Sequence, residues 1–312
     1  MKRSLARLLR RFHSSGESRT PPGRADEPGW PSGHFYSPYP DLGEVARRAP
    51  VLFGSPPRVI AGVDLREDAQ LGLLDELARF YPDLPFTAHE RPGLRYFFEN
   101  PNYSYGEAIV LYCMIRHLRP RRIVEVGSGY SSCAILDTND RAFDGAIDCA
   151  FIDPYPQLLK SLVGDDEQRR LQILAVHLQD VESGWFARLS EGDILFVDSS
   201  HVSKIGSDVN HLFFAILPSL NDGVYVHFHD IPYPFEYPKE WIFQRRAWNE
   251  AYLLRAFLQY NAAFTVEFFN SFMGRFHGDA LARAMPLAMK NPGTSLWLRK
   301  GSASQLPPSR GG

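Results

Sequence analysis

Chemistry-bearing residues gather at two kinds of place in this sequence, a glycine turn and the ends of apolar runs. The run Ile123–Val126 leads into Gly127-Ser128-Gly129, with Glu125 two residues ahead of the first glycine. Glycines so spaced permit a sharp strand-to-helix turn and let a ligand approach bare backbone. A dinucleotide fingerprint would place a third glycine at position 132, and serine stands there. Glu125 also speaks against pyrophosphate, because a carboxylate beside two phosphates repels them. It suits a ligand carrying an amino group or a sulfonium. NAD-dependent oxidoreduction is disfavoured on both counts. Asp153 ends the next apolar run, in Phe-Ile-Asp-Pro-Tyr-Pro, where a carboxylate can accept both ribose hydroxyls of a nucleoside.

Asp198 closes Ile-Leu-Phe-Val-Asp and His201 follows three residues later, while His229 and Asp230 close Tyr-Val-His-Phe-His-Asp. Adjacent parallel strands would bring all four side chains to one end of a sheet, beside the glycine turn. Two carboxylates and two imidazoles suit either of two tasks there. Asp198, His229 and Asp230 could hold Mg2+ or another divalent cation. Without metal, His201 could act as general base, since histidine titrates near neutral pH, with Asp198 and Asp230 orienting its partner. His227 projects to the face of His229 and reads equally as a core histidine. Ser207 or Asp208 is expected to cap the helix that follows. The aromatic loop Tyr233–Trp241 fits a substrate lid and a packed loop equally well.

These positions need a parallel sheet behind them. From Tyr105 onward, short apolar runs at 121–126, 147–153, 172–178, 193–198 and 224–230 alternate with helical segments. Runs at 264–270 and 295–300 resemble a hairpin-like pair. The expected fold is α/β, a Rossmann-like doubly wound seven-stranded sheet, mostly parallel with one antiparallel edge strand. Residues 1–48 read as a basic, Pro/Gly/Ser-rich flexible tail, 49–104 as a small cap with a helix near 71–80, 105–300 as the main domain and 301–312 as a disordered tail.

The whole chain has 312 residues, 34 basic against 36 acidic, for a net charge of −2 that gives no reason to expect nucleic acid. A 44% hydrophobic content excludes fibrous and fully disordered classes. Cys113, Cys133 and Cys149 lack metal-type spacing and fit buried thiols in a reducing, cytoplasmic compartment. No run approaches the roughly 18 apolar residues of a membrane span. The segment Met1–Phe12 is basic and amphipathic, read first as a solvated tail and second as a weak membrane-surface contact. Oligomeric state is not legible.

The stretches VEVGSGYSS, FIDPYP, GDILFVDSSHVSKIGSDVNHLFF and GVYVHFHDIPYPFEYPKEW resemble the class I S-adenosylmethionine-dependent methyltransferases, in particular a bacterial group of unassigned substrate. The resemblance spans residues of about 95–300. It implies S-adenosylmethionine as cofactor, with Glu125, Gly127, Ser128 and Gly129 along its methionine part, Asp153 on the ribose, and Gln179 and Asp180 at the adenine. Metal-dependent catechol-type enzymes of this class are similar in part. Asp198 matches their first ligand, His201 stands where they have lysine, and His229-Asp230 replaces their Asp-Asn. That substitution leaves a metal site and a metal-free site both open. The expected activity is methyl transfer to a hydroxyl of a small-molecule or sugar acceptor with His201 as base. The alternative is a catalytically inert binding or scaffold protein that keeps the fold.

Overall fold

The computed structural model describes residues 29–301; the basic segment Met1–Phe12 and residues 302–312 of the expected tail lie outside the described residues. The chain divides into two compact units, the first ending at Leu52 and the second beginning at Phe53. The first contains helix α1 (Leu42–Leu52), which crosses the boundary expected at 48/49. Asp41 Oδ1 accepts a hydrogen bond from Glu44 N at 2.9 Å and so serves one of the free amides at its start.

The second unit is a seven-stranded sheet covered by helices. Its strands are β1 (Arg122–Val126), β2 (Asp148–Ile152), β3 (Gln172–Leu174), β4 (Ile194–Val197), β5 (Tyr225–Phe228), β6 (Phe264–Phe269) and β7 (Leu296–Lys300), in the order β3-β2-β1-β4-β5-β7-β6. The first five run parallel, and β7 is antiparallel to both β5 and β6. The reversed strand thus lies one place in from the edge that β6 forms. β3 is shorter than expected because the chain turns directly after Leu174, where Val176 N donates to Leu174 O at 2.9 Å, ahead of a 3-10 turn at Leu178–Asp180.

The central strands are apolar on both faces, as a sheet sandwiched between helix layers requires. Helix α2 (Glu67–Leu77) packs against β6 and against α3 (Tyr105–Leu118), and α3 packs against α4 (Tyr130–Phe143). Tyr105 through Ile115 of α3 are buried without interruption, which fits a helix that is apolar nearly all round. Ile60, Leu74, Phe86, Tyr96 and Phe98 belong to the same core as the strands, so residues 53–104 are built into it. Each fully buried Phe or Leu contributes about 1.5–3 kcal/mol relative to exposure. Among the described residues no helix is long and apolar enough to cross a membrane.

Register brings the strand ends together. Val126 faces Ile152 and Val197, and Val197 faces Phe228. The residues that follow, Gly127, Asp153, Asp198 and His229, therefore emerge along one edge, where open α/β sheets bind ligands.

Candidate active site

The glycine turn is fixed by lack of room. Gly127 has φ 84°, and a Cβ there would lie 2.4 Å from the Asp198 carbonyl oxygen. Only glycine meets both conditions. Beside it opens a cavity of about 570 Å3 lined by Gly127, Asp153, Gln179 and Asp198, together with Tyr155, His177, Ser200 and Lys204. Asp153 accepts from Ser128 Oγ at 2.6 Å and from Tyr155 N at 2.7 Å. Gln179 Nε2 donates to Gly206 O at 3.0 Å across the cavity mouth. Tyr155 is 71% exposed, with its ring edge-on to His177 at 6.1 Å, and offers an aromatic face.

Glu125, Ser128, Gly129 and Asp180 do not line this cavity. Glu125 lies beneath it, fully buried, and accepts from Ser131 Oγ and from Ser132 Oγ at 2.7 Å. Burial pushes its carboxyl up to about 8, against the two serine hydrogen bonds that favour the charge. Ser132 Oγ also accepts from Gly129 N at 3.0 Å. The serine that breaks the dinucleotide pattern is thus the pin between Glu125 and the start of α4. Ser207 caps the helix beginning at Asp208, its Oγ accepting from Asn210 N, while Asp208 ties back to Ser200 N at 2.7 Å.

The acid–histidine cluster does assemble. His201 Nε2 lies 3.3 Å from Asp198 Oδ1 and 3.8 Å from Asp230 Oδ2. His229 Nδ1 lies 3.3 Å from Asp198 Oδ1 and 3.7 Å from Asp230 Oδ2. The far nitrogen of each imidazole meets a further carboxylate, Glu250 Oε2 at 2.9 Å from His201 Nδ1 and Glu107 Oε1 at 3.3 Å from His229 Nε2. His201 and Asp230 have φ of 58° and 56°, in the left-handed region that side chains other than glycine seldom adopt. Contacts of the surrounding cluster hold both residues in this costly conformation.

The charges follow from these contacts. Burial opposes a charge on His201, but the hydrogen bonds to Asp198 and Glu250 outweigh it and raise the ring to about 10. His229 is likewise raised well above the usual imidazole value against burial, by Glu107, Asp230 and Asp198. Asp198 is held well below the carboxylate range, its desolvation overcome by the two imidazoles. Burial raises Asp230 despite the same neighbours. The near-neutral titration expected of His201 is therefore displaced upward. His227 is a core residue: it is fully buried, stacked on Phe196 at 3.9 Å, and burial pushes its ring well below the usual value.

Glu107 and Glu250 escape sequence reading. Glu107 sits in the first turn of α3, where an acid already has a reason to be, and Glu250 opens a helix remote in sequence from His201. The aromatic loop is packed rather than free. Phe235 and Tyr237 are buried, and Tyr237 Oη accepts from Ala251 N at 3.0 Å. Trp248, beyond that loop, lays its ring 4.3 Å from His201.

The donor set does not fit Mg2+. Half of the inward-facing atoms are imidazole nitrogens, whereas Mg2+ demands oxygen, and both carboxylates already face raised imidazoles. Among the described residues no group of three or more His, Cys, Asp or Glu side chains is arranged to hold a metal ion.

Residues 124–231 match a family model described as a methyltransferase domain. An uncharacterized protein of Archaeoglobus fulgidus is 32% identical over 170 residues, 53% of this chain and 76% of that protein. Solved structures are more remote. The apo-structure of CmcI-N160 has 17% identity and a TM-score of 0.39, over 64% of this chain and 72% of that one. The SAH-bound Podospora anserina methyltransferase PaMTH1 has 12% identity and a TM-score of 0.39, over 84% and 97%.

Proposed function

We propose, for a chain that belongs to the class I S-adenosylmethionine-dependent methyltransferases, that it methylates a hydroxyl of a small molecule or sugar with His201 as general base. S-Adenosylmethionine, when bound, supplies a methyl group on a sulfonium. The cavity beside Gly127 has the size and the ribose-binding carboxylate that such a ligand needs. Asp153 accepts the ribose hydroxyls and Gln179 serves the adenine end, while Asp180 lies outside the cavity lining and takes no part. Gly127 leaves backbone open to the methionine end, Ser128 steadies Asp153 from outside the lining, and Glu125, through Ser132, braces Gly129.

One observation carries the choice of base. His201 is 5% exposed, with Nδ1 tied to Glu250 and Nε2 turned toward Asp198, which lines the cavity. As the acceptor oxygen bonds to the methyl carbon and the carbon–sulfur bond breaks, the hydroxyl proton passes to His201 Nε2. Asp198 and Asp230 hold the resulting imidazolium in place. Because contacts raise His201 to about 10, the free protein holds that proton at neutral pH and must first release it. Turnover at limiting acceptor is then expected to climb with pH. No step is assigned to Mg2+ or another divalent cation, since the two imidazoles occupy the place of the cation.

Acceptor choice is proposed to lie with residues 53–104, the part of the expected cap that is built into the core of the second unit. Free Cys113, Cys133 and Cys149 suit the cytoplasmic placement. Incubation with S-adenosylmethionine and a panel of nucleotide sugars, free sugars and phenols, read by mass spectrometry, tests the reaction class. An O-methylated product supports it; a product methylated only on nitrogen or carbon overturns it.

A further inference from the structure

We infer that Glu250 is a positioning residue that fixes the ring and tautomer of His201, so that Nε2 is the nitrogen offered to the acceptor. This rests on His201 being the base. Glu250 is fully buried, and its Oε2 lies 2.9 Å from His201 Nδ1 while accepting from Ser199 Oγ at 2.9 Å. Ser199 Oγ in turn accepts from His201 N at 2.9 Å. The His201 carbonyl accepts from Asn249 N at 3.0 Å and Glu250 N at 3.2 Å, the first amides of the helix Glu250–Tyr260. The side chain and backbone carbonyl of His201 are thus held directly by one helix start, and its backbone amide through Ser199. These contacts account for a backbone at φ 58° that would otherwise relax.

The other Glu250 oxygen, Oε1, is buried with no hydrogen-bond partner. A carboxylate served on one side only is costly to bury, and an apolar side chain would fill the space better. Among the described residues, His201 is the one cationic side chain within ion-pair distance of Glu250. The charge is therefore there for the imidazole. A carboxylate on Nδ1 keeps the proton on that nitrogen, leaves Nε2 as the acceptor and stabilises the imidazolium that forms. Glu107 does not share this role, because it also accepts from Thr294 N at 3.0 Å and Ser295 Oγ at 3.3 Å and so anchors the approach to β7.

Glu250→Gln keeps the shape and removes the charge. On an acceptor that the wild-type protein methylates, kcat on its alkaline plateau is expected to fall about 100-fold and the rise of turnover to move to lower pH, with KM for S-adenosylmethionine and S-adenosylhomocysteine affinity nearly unchanged. Proton NMR gives a second reading without any acceptor. The wild-type protein should show a far-downfield imidazole N–H signal that vanishes in His201→Ala and moves upfield in Glu250→Gln. An unmoved signal, or kcat near wild type while His201→Ala is dead, overturns the inference and leaves the base assignment standing. An active His201→Ala removes the base assignment itself. Parallel losses of kcat, ligand affinity and melting temperature would make Glu250 merely structural. If Glu250→Gln does not fold, Ser199→Ala, which loosens the same oxygen, should still lower kcat several-fold, and an unchanged kcat counts against the proposal.

Discussion

The glycine-turn side of the sheet edge is open and sparsely charged, whereas the side holding Asp198, His201, His229 and Asp230 is dense and closed. In the first, shape comes from backbone: Gly127 admits no side chain, and Asp153, Asp198 and Lys204 line a cavity of about 570 Å3 without pairing with one another. In the second, His201 and His229 are each raised by carboxylates on both ring nitrogens, and every charge depends on another. Under the proposed function, the difference separates binding from chemistry. A cofactor needs space and a few fixed polar groups, but a proton acceptor needs its charge set by neighbours. Damage to one half should leave the other working.

The sharpest break is His201→Ala. Turnover should fall by about 100- to 10,000-fold, the usual worth of a general base, while calorimetry finds S-adenosylhomocysteine affinity little changed. A matched loss of both would join the two halves into one structural unit. Next comes Asp153→Ala on the open side. If Asp153 accepts the ribose hydroxyls as proposed, its loss should weaken S-adenosylhomocysteine binding about 10- to 100-fold, or roughly 1.4–2.8 kcal/mol. Since Asp153 touches nothing in the histidine cluster, the far-downfield imidazole signal should persist.

How much of each half was legible follows from the same contrast. Gly127, Asp153, Asp198, His201, His229 and Asp230 stand at the ends of apolar runs, and period and turn chemistry locate those ends from local sequence. The order β3-β2-β1-β4-β5 then places them on one edge. Glu125 was legible as a carboxylate near the turn but not as a buried brace, because its depth depends on Ser131 and Ser132 folding over it. Glu107 and Glu250 carry no local mark. They reach the cluster from helices far away in sequence, and a lone acid at a helix start already has a capping or dipole explanation. Since those two acids raise the imidazoles together with Asp198 and Asp230, the sequence locates the cluster and leaves its protonation only half read.

Protonation gives each half its own pH window. His201 is raised from about 6.5 in the unfolded chain to about 10, so its stabilisation is complete below the first value and is lost as pH rises through the second. Glu125, raised by burial to about 8, loses stabilisation over a lower window that opens at about 4.3. Asp198 has the opposite sign: its lowered value stabilises above about 3.9 and is lost only in strong acid. The melting temperature should therefore drop between neutral pH and about pH 10, with a shallower drop in His201→Gln. Glu125→Gln should flatten the lower window and leave the upper one. Identical slopes in His201→Gln and wild type would show that the ring carries no extra proton. Over the same alkaline range turnover should rise, since the base is freed as the fold loses its ion pairs.

The smallest effect is expected from removing metal. If His201 and His229 are the cations of the cluster, EDTA should leave turnover within about twofold, and mass spectrometry of the purified protein should find no stoichiometric metal. Mg2+ should not raise the melting temperature, because its oxygen preference is not met by a site half made of imidazole. Zn2+ and Mn2+ make the test severe, as both accept imidazole and would compete with protons for His201 Nε2 and His229 Nδ1. Loss of activity in EDTA with recovery in either ion would turn the two imidazoles from cations into ligands. The alkaline fall in stability would then vanish in the metal-loaded protein, because a ring that binds metal has no proton to lose. An alkaline fall in stability that persists, together with EDTA resistance, keeps the cluster as four mutually held charges.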